Sequence, residues 1–272
     1  NIIMKNFVFL TILGVILVSC AGSDKLNNYG FTGDVLSKTD TVYNVVYKFG
    51  KPEKGEIKAV IETFFDANNN DTLICSYSKD GELTSKVVSK RNSEGDIETW
   101  VEYVMQDFPG MDHSKYKSIT TETYSYVKKE GKIQTISMKS KYEEEVADSV
   151  RLSDDEPTTY VSETNTKTEY RYDSVPSDFK VTTDSLTVSY MNNENLPEAS
   201  FFNYGLITYE YNDKGLVTKS TYSSYDKTDK SENFFEYEYD DNGNVSKQTL
   251  FLIENGEKKA SEMKFTHYNC KQ

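Results

Sequence analysis

Tyr209-Glu-Tyr-Asn-Asp-Lys-Gly215-Leu-Val-Thr-Lys-Ser-Thr221 returns 28 residues later as Tyr237-Glu-Tyr-Asp-Asp-Asn-Gly243-Asn-Val-Ser-Lys-Gln-Thr249. Each copy places aromatics on alternate positions, then an Asx-rich turn ending in glycine, then a return run containing Val and Thr. Alternation with period 2 belongs to a strand with two unlike faces. The glycine falls where a tight reversal calls for positive φ, a region most side chains avoid. Each copy therefore reads as a β-hairpin.

Weaker versions occur at Tyr77-Ser-Lys-Asp-Gly81 and Tyr126-Val-Lys-Lys-Glu-Gly131, and Arg91 to Gly95 supplies a turn of the same chemistry. Tyr-x-Tyr pairs stand at 124/126, 170/172, 209/211 and 237/239, both members on one sheet face, while Glu210, Glu236 and Glu238 point the other way. No stretch after Val18 sustains a 3.6-residue period. The fold class expected is all-β: a long antiparallel meander of hairpins over residues 35–272. The acidic segment Glu143 to Glu156 reads as a long loop. More than ten strands in one open sheet would leave two adhesive edges, so the meander should curl into a barrel or half-barrel. A lipid-facing wall needs a clean apolar row, and Lys247 interrupts the one running from Val245 to Ile253, so the barrel is not expected to sit in a bilayer.

The hairpin units resemble the YD repeats of Rhs-type secreted proteins, cleanly over residues 209–249 but without the usual Arg after the Gly. The whole chain resembles bacterial lipoproteins of unknown function described as having a porin-like fold, which share the tyrosine-rich meander and repeated Asx-Gly turns. Neither resemblance brings catalytic residues with it.

Ahead of the hairpins, Lys5, an apolar run from Phe7 to Val18 and Leu17-Val18-Ser19-Cys20 read as a signal peptide over residues 1–19, with Met4 as its start. The run is too short to span a bilayer as a helix. The tetrapeptide resembles the lipobox of bacterial lipoproteins, which implies that Cys20 carries the acyl groups and begins the mature chain. Residues 20–34 would be a flexible tether. Ala21 stands where an Asp would resemble an inner-membrane retention signal, so outer-membrane delivery is expected, on either face.

The chain has 31 Lys and Arg against 44 Asp and Glu, a net charge of −13. Such a field repels phosphate backbones, so no nucleic-acid partner is expected. Cys75 and Cys270 would lie in an oxidising compartment and could form a disulfide tying an early strand to the last; the alternative is one buried and one exposed thiol.

His113 and His267 match no zinc spacing, so neither metal nor other cofactor is implied. There is no Gly-x-Ser-x-Gly elbow, and Gly50 with Gly55 lacks the P-loop Lys and Ser/Thr. Asp66-Ala-Asn-Asn-Asn70 opens like a calcium loop and then departs from it at Asp71 and Tyr77. The pairs Asp154-Asp155 and Asp240-Asp241 read as solvated turns, so no enzyme is expected. Asp-Ser/Thr-aliphatic tripeptides place Thr41, Thr72, Ser149, Ser174 and Ser185 in the pattern of an O-glycosylation acceptor, or merely of a turn Asp entering a strand. The function expected is a non-catalytic envelope lipoprotein with Tyr209, Tyr211, Tyr237 and Tyr239 as a platform for a ligand such as a glycan. The alternative is a structural subunit or adhesin that uses its sheet as a protein interface.

Overall fold

A computed structural model describes residues 30–107, 115–145, 159–254 and 256–270. In chain order the strands are β1 (Val35–Lys48), β2 (Lys51–Phe65), β3 (Asp71–Tyr77), β4 (Leu83–Arg91), β5 (Ile97–Asp107), β6 (Lys115–Lys129), β7 (Lys132–Glu145) and β8 (Thr159–Arg171). They continue as β9 (Leu186–Met191), β10 (Pro197–Phe202), β11 (Gly205–Tyr211), β12 (Val217–Ser224), β13 (Lys230–Tyr239), β14 (Val245–Glu254) and β15 (Glu257–Cys270). Each pairs with its chain neighbours, and β1 pairs with β15, so the 15 strands close into a barrel without a free edge. The described residues contain no helix.

The hairpin reading of the near-duplicate is correct in detail. Asn212 and Asp240 each accept, on one side-chain oxygen, the N–H groups two and four residues ahead. The fourth turn residue takes positive φ, 81° at Gly215 and 82° at Gly243. Asp66, Ser78, Asn92 and Asn192 build the same turn. Asp66 is thus the template of a turn and not the start of a calcium loop. Each of these turns leaves a register shift, the bulge left by a reversal whose return strand carries one extra residue.

One junction departs from the meander: β8 and β9 run parallel. Residues 172–185 carry the chain from one rim back to the other as a strap, with Phe179 and Val181 packed on Val188, Tyr190, Ala199 and Phe201. Phe179 meets Tyr190 and Phe201 edge-on at 5.8 and 5.2 Å, and Arg171 lies 4.7 Å over its ring.

The directly opposed residues sort the wall into two faces. One carries Lys38, Asp40, Val42, Glu102, Glu122 and every Tyr-x-Tyr pair, linked through partners such as Tyr170↔Ser189, Ser189↔Ser200 and Tyr237↔Gln248. The other carries ion pairs, including Lys247–Glu238 at 2.6 Å, Lys258–Glu236 at 2.8 Å and Lys139–Glu163 at 3.1 Å, among strongly exposed side chains. Lys38 and Asp40 are only 6% and 4% exposed, which makes the tyrosine face the inside of the barrel. The outer wall carries charge ladders where a lipid-facing wall would carry an apolar band.

Of the two readings left open for the thiols, the second holds: Cys75 is a buried free thiol on β3 and Cys270 an exposed one on β15. β1 and β2 stand between those strands, and three spacings of about 4.8 Å alone put the pair at least roughly 14 Å apart, twice the reach of a disulfide. Gly30–Asp34, expected to belong to a flexible tether, are latched to the rim. Phe31, 1% exposed, meets Phe65 and Tyr268 edge-on, and Gly30 O accepts the Val245 N–H at 2.8 Å. Asn244 and Asn69 bind the backbone of Thr32 and Gly33. Cys20, Ser149, His113 and Asp154-Asp155 lie outside the described residues.

Candidate functional site

The inner face at the latched rim is ringed by tyrosines that repeat one bond. Tyr126 donates to Ile97 O at 2.8 Å, Tyr172 to Ile133 O at 2.8 Å, Tyr211 to Pro197 O at 2.7 Å, Tyr237 to Val217 O at 2.7 Å and Tyr268 to Val245 O at 2.9 Å. Every acceptor lies in the first two residues of a strand that follows a rim turn. The bulge there breaks the ladder, and the hydroxyl of the next strand satisfies the carbonyl that the ladder misses. Consecutive hairpins are thereby stitched together.

The expected platform is present, but it is not an open plate. Tyr209, Tyr211, Tyr237 and Tyr239 all lie half-buried on the inner face, with Tyr209 and Tyr211 tilted at 6.4 Å between ring centroids. Tyr239 accepts from Asn212 at 3.2 Å. With the hydroxyls of Tyr211 and Tyr237 held by carbonyls, these two offer a ligand chiefly ring face and edge. Burial raises the hydroxyl pKa of each of the four. Burial likewise brings Tyr126 to about 12, with help from Asp96, and Tyr170 to about 12.

Charged groups share this interior. Lys38 Nζ donates to Asp40 at 2.8 Å, and Thr266 Oγ1 donates to Asp40 at 2.5 Å. Burial opposes ionisation of Asp40, but Lys38 and Lys264 outweigh it and hold its pKa below the usual carboxylate range. Across the lumen, burial and the nearby Glu122 raise the pKa of Glu102, while Glu122 accepts the Tyr124 hydroxyl. Trp100 stands directly opposite Glu122 on the same face. The lining is aromatic and hydroxyl-rich with a few charges, chemistry that suits a neutral polyhydroxylated ligand better than a polyanion.

A hollow of about 380 Å³ gathers Glu94, Asp96 and Glu98; Lys128 bonds both Glu94 and Asp96, and Lys90 pairs with Glu98 at 2.7 Å, so each carboxylate is engaged in an ion pair. Among the described residues no cluster of three His, Cys, Asp or Glu could hold a metal ion. His267 is exposed on β15, and Asp240-Asp241 lies in a rim turn.

Of the acceptor tripeptides, Ser174 and Ser185 are exposed on the strap, whereas Thr41 and Thr72 are half-buried in strands. The Thr72 hydroxyl donates to Phe64 O at 3.2 Å. Lys38, Asp40, Glu102 and Trp100 were not singled out from sequence. A signal was available for Glu102, which alternates with Trp100 on one strand face, whereas Lys38 and Asp40 share their face with Leu36, Val42 and Asn44 and no aromatic residue marks it.

No family profile and no curated protein matches the chain. Among solved structures it is similar to a porin-like protein from Bacteroides uniformis, 11% identical, with a TM-score of 0.31 over 87% of this chain and 98% of that one.

Proposed function

We propose that the chain is a lipid-anchored, non-catalytic envelope protein whose barrel interior binds an extracytoplasmic ligand of glycan type. The observation that carries this reading is the ring of inward tyrosines beside Ser, Thr and Gln side chains on one continuous lumenal face. Aromatic faces stack on the C–H faces of sugars, and the neighbouring hydroxyls and amides supply the directional bonds. Acylation at Cys20 would hold the latched rim toward an outer membrane, since residues 20–29 lead directly to Gly30.

The reading as an interaction subunit has less support. The outer apolar patch on β9–β11 is already covered by the strap, and much of the remaining outer wall is charged.

The test compares Tyr237→Phe with Tyr237→Ala in glycan-array and calorimetric binding, using the chain from Ala21 onward. The Phe variant loses the stitch to Val217 but keeps the ring, so it should melt lower and still bind. The Ala variant should lose about 1–2 kcal/mol of binding as well. Equal binding by all three chains, or flat response across neutral glycans, rules the proposal out.

A further inference from the structure

At the rim opposite the latch, the β1–β2 hairpin leaves the wall. Pairing of β1 with β15 stops at Asn44↔Glu262, and pairing of β2 with β3 stops at Val60↔Tyr77. Two register shifts, between Val42 and Tyr43 and between Tyr43 and Val45, bend the ribbon away. Gly55 permits the bend, because a Cβ there would meet Val46 Cγ1 at 2.9 Å and Asn44 O at 3.1 Å. The Tyr47 hydroxyl, two residues short of the tip, accepts the Ala260 N–H at 2.7 Å and ties that part of the ribbon to β15.

The tip is Phe49-Gly50, both at positive φ, 51° and 77°. That is the two-residue turn in which Asn-Gly is preferred, and a Phe in the left-handed region is strained. The ring contributes nothing to packing in return, being 105% exposed. Val46 and Tyr47 beside it are 40% and 47% exposed. Folding alone would not choose Phe here, and local strain of this kind points to a task at the site. Charge supplies the second, independent indication. Residues 45–58 carry four lysines against two glutamates, in a chain whose net charge is −13.

We infer that the β1–β2 tip is a peripheral docking element for an anionic lipid surface, with Phe49 entering the interface and Lys48 and Lys51 meeting the headgroups. Aromatic rings settle at the depth of the headgroups, and lysines near an anionic leaflet each add attraction. The acidic body of the barrel is repelled by the same surface, so contact is confined to the tip. The inference stands without acylation of Cys20, yet is compatible with it. Ten residues, 20–29, span at most about 36 Å. β1, with 14 residues, climbs roughly 35 Å along a barrel axis at ordinary tilt, so a barrel lying against one membrane reaches it from both ends.

The experiment is co-sedimentation with vesicles of phosphatidylcholine alone or with phosphatidylglycerol at about one third. The closed barrel and every contact described lie within residues 30–270, so the chain from Ala21 onward retains them. Binding is expected only to the anionic vesicles and should fall steeply with added salt. Phe49→Asn should lower the partition coefficient about tenfold or more while raising the thermal midpoint, because Asn suits the turn. Lys48→Glu with Lys51→Glu should lower it by about fivefold per lysine or more. Absence of wild-type binding, equal binding to neutral vesicles, or unchanged binding by Phe49→Asn each overturns the inference. Binding decoupled from stability is what separates docking from a folding role.

Discussion

Tyrosine hydroxyls hold this barrel together where its backbone ladder is interrupted, and that makes their ionisation a stability switch. A tyrosine buried as a neutral donor has a folded pKa above its unfolded value near 10. Tyr126 and Tyr170 stand at about 12, and burial moves Tyr211, Tyr237 and Tyr268 upward as well. Because the folded values are the higher ones, the contribution is complete below pH 10 and is lost as pH rises through 12. The thermal midpoint should therefore stay level from pH 8 to about 9.5 and fall steadily above 10. Tyrosinate absorbance of the folded protein should lag that of the unfolded chain; coincident titration curves would contradict the assignment. The side of the sheet these residues occupy was legible from sequence, because period 2 is a local property of Tyr-x-Tyr. Their bonds were not, since each acceptor lies 14 to 39 positions away and depends on bulges seen only in the register. Lys38 and Asp40 were illegible for a related reason: a Lys-Thr-Asp triplet in a strand looks like a hydrated edge until the closure of β1 on β15 buries it.

Turns and the strap carry the argument at the level of elements. The rim turns need positive φ at the fourth position, filled by Gly215 and Gly243 but by Asn69 and Asn195 at φ 60° and 59° elsewhere. Around Gly95, the fourth residue of the Asn92 turn at φ 86°, nothing lies within 4 Å of an added Cβ, so Gly95→Ala reports backbone strain alone and should cost about 1–2 kcal/mol in chemical unfolding. Asn195→Gly at the equivalent position should be close to neutral, and a loss as large as that of Gly95→Ala would show that side-chain bonds, not φ, define the turn. These turns were readable because Asx and Gly at fixed spacing are a local code. The strap was not. Residues 172–185 are rich in Asp, Ser, Thr and Pro and resemble a surface loop, and only the parallel register of β8 with β9 requires a segment that crosses from rim to rim. Phe179 and Val181 convert that crossing into a cover for β9–β11. Phe179→Ala should accordingly destabilise the barrel by about 2–3 kcal/mol, at the low end for a Phe because one edge of the ring is hydrated. Faster hydrogen exchange should then appear in β9 and β10 before it appears in β1.

For the whole molecule, closure was anticipated from the strand number and the cost of open edges, whereas the place where the chain seals itself was not. The thiols suggested a covalent seam between β3 and β15; the structure instead closes β1 directly on β15 and locks that seam at one rim with the segment just before β1. Phe31 sits between Phe65 on β2 and Tyr268 on β15, while Gly30 binds the first residue of β14. Three strands, β2, β14 and β15, are thus gathered by Gly30 and Phe31. Gly30 is held so closely that a Cβ would approach Val245 Cγ2 at 2.9 Å, at φ 81°. Phe31→Ala removes the wedge without touching any strand and should cost about 3–4 kcal/mol in global stability. Because Phe31 wedges the seam of β1 with β15, the rim-proximal amides of these two strands should exchange first in this variant, and limited proteolysis should begin near residues 30–35 while β9–β11 stay protected. A variant that loses stability evenly along the chain would place the weakness elsewhere than the seam. One that loses none would show that the ladder of β1 with β15 closes the barrel unaided and that the latch adds nothing to closure.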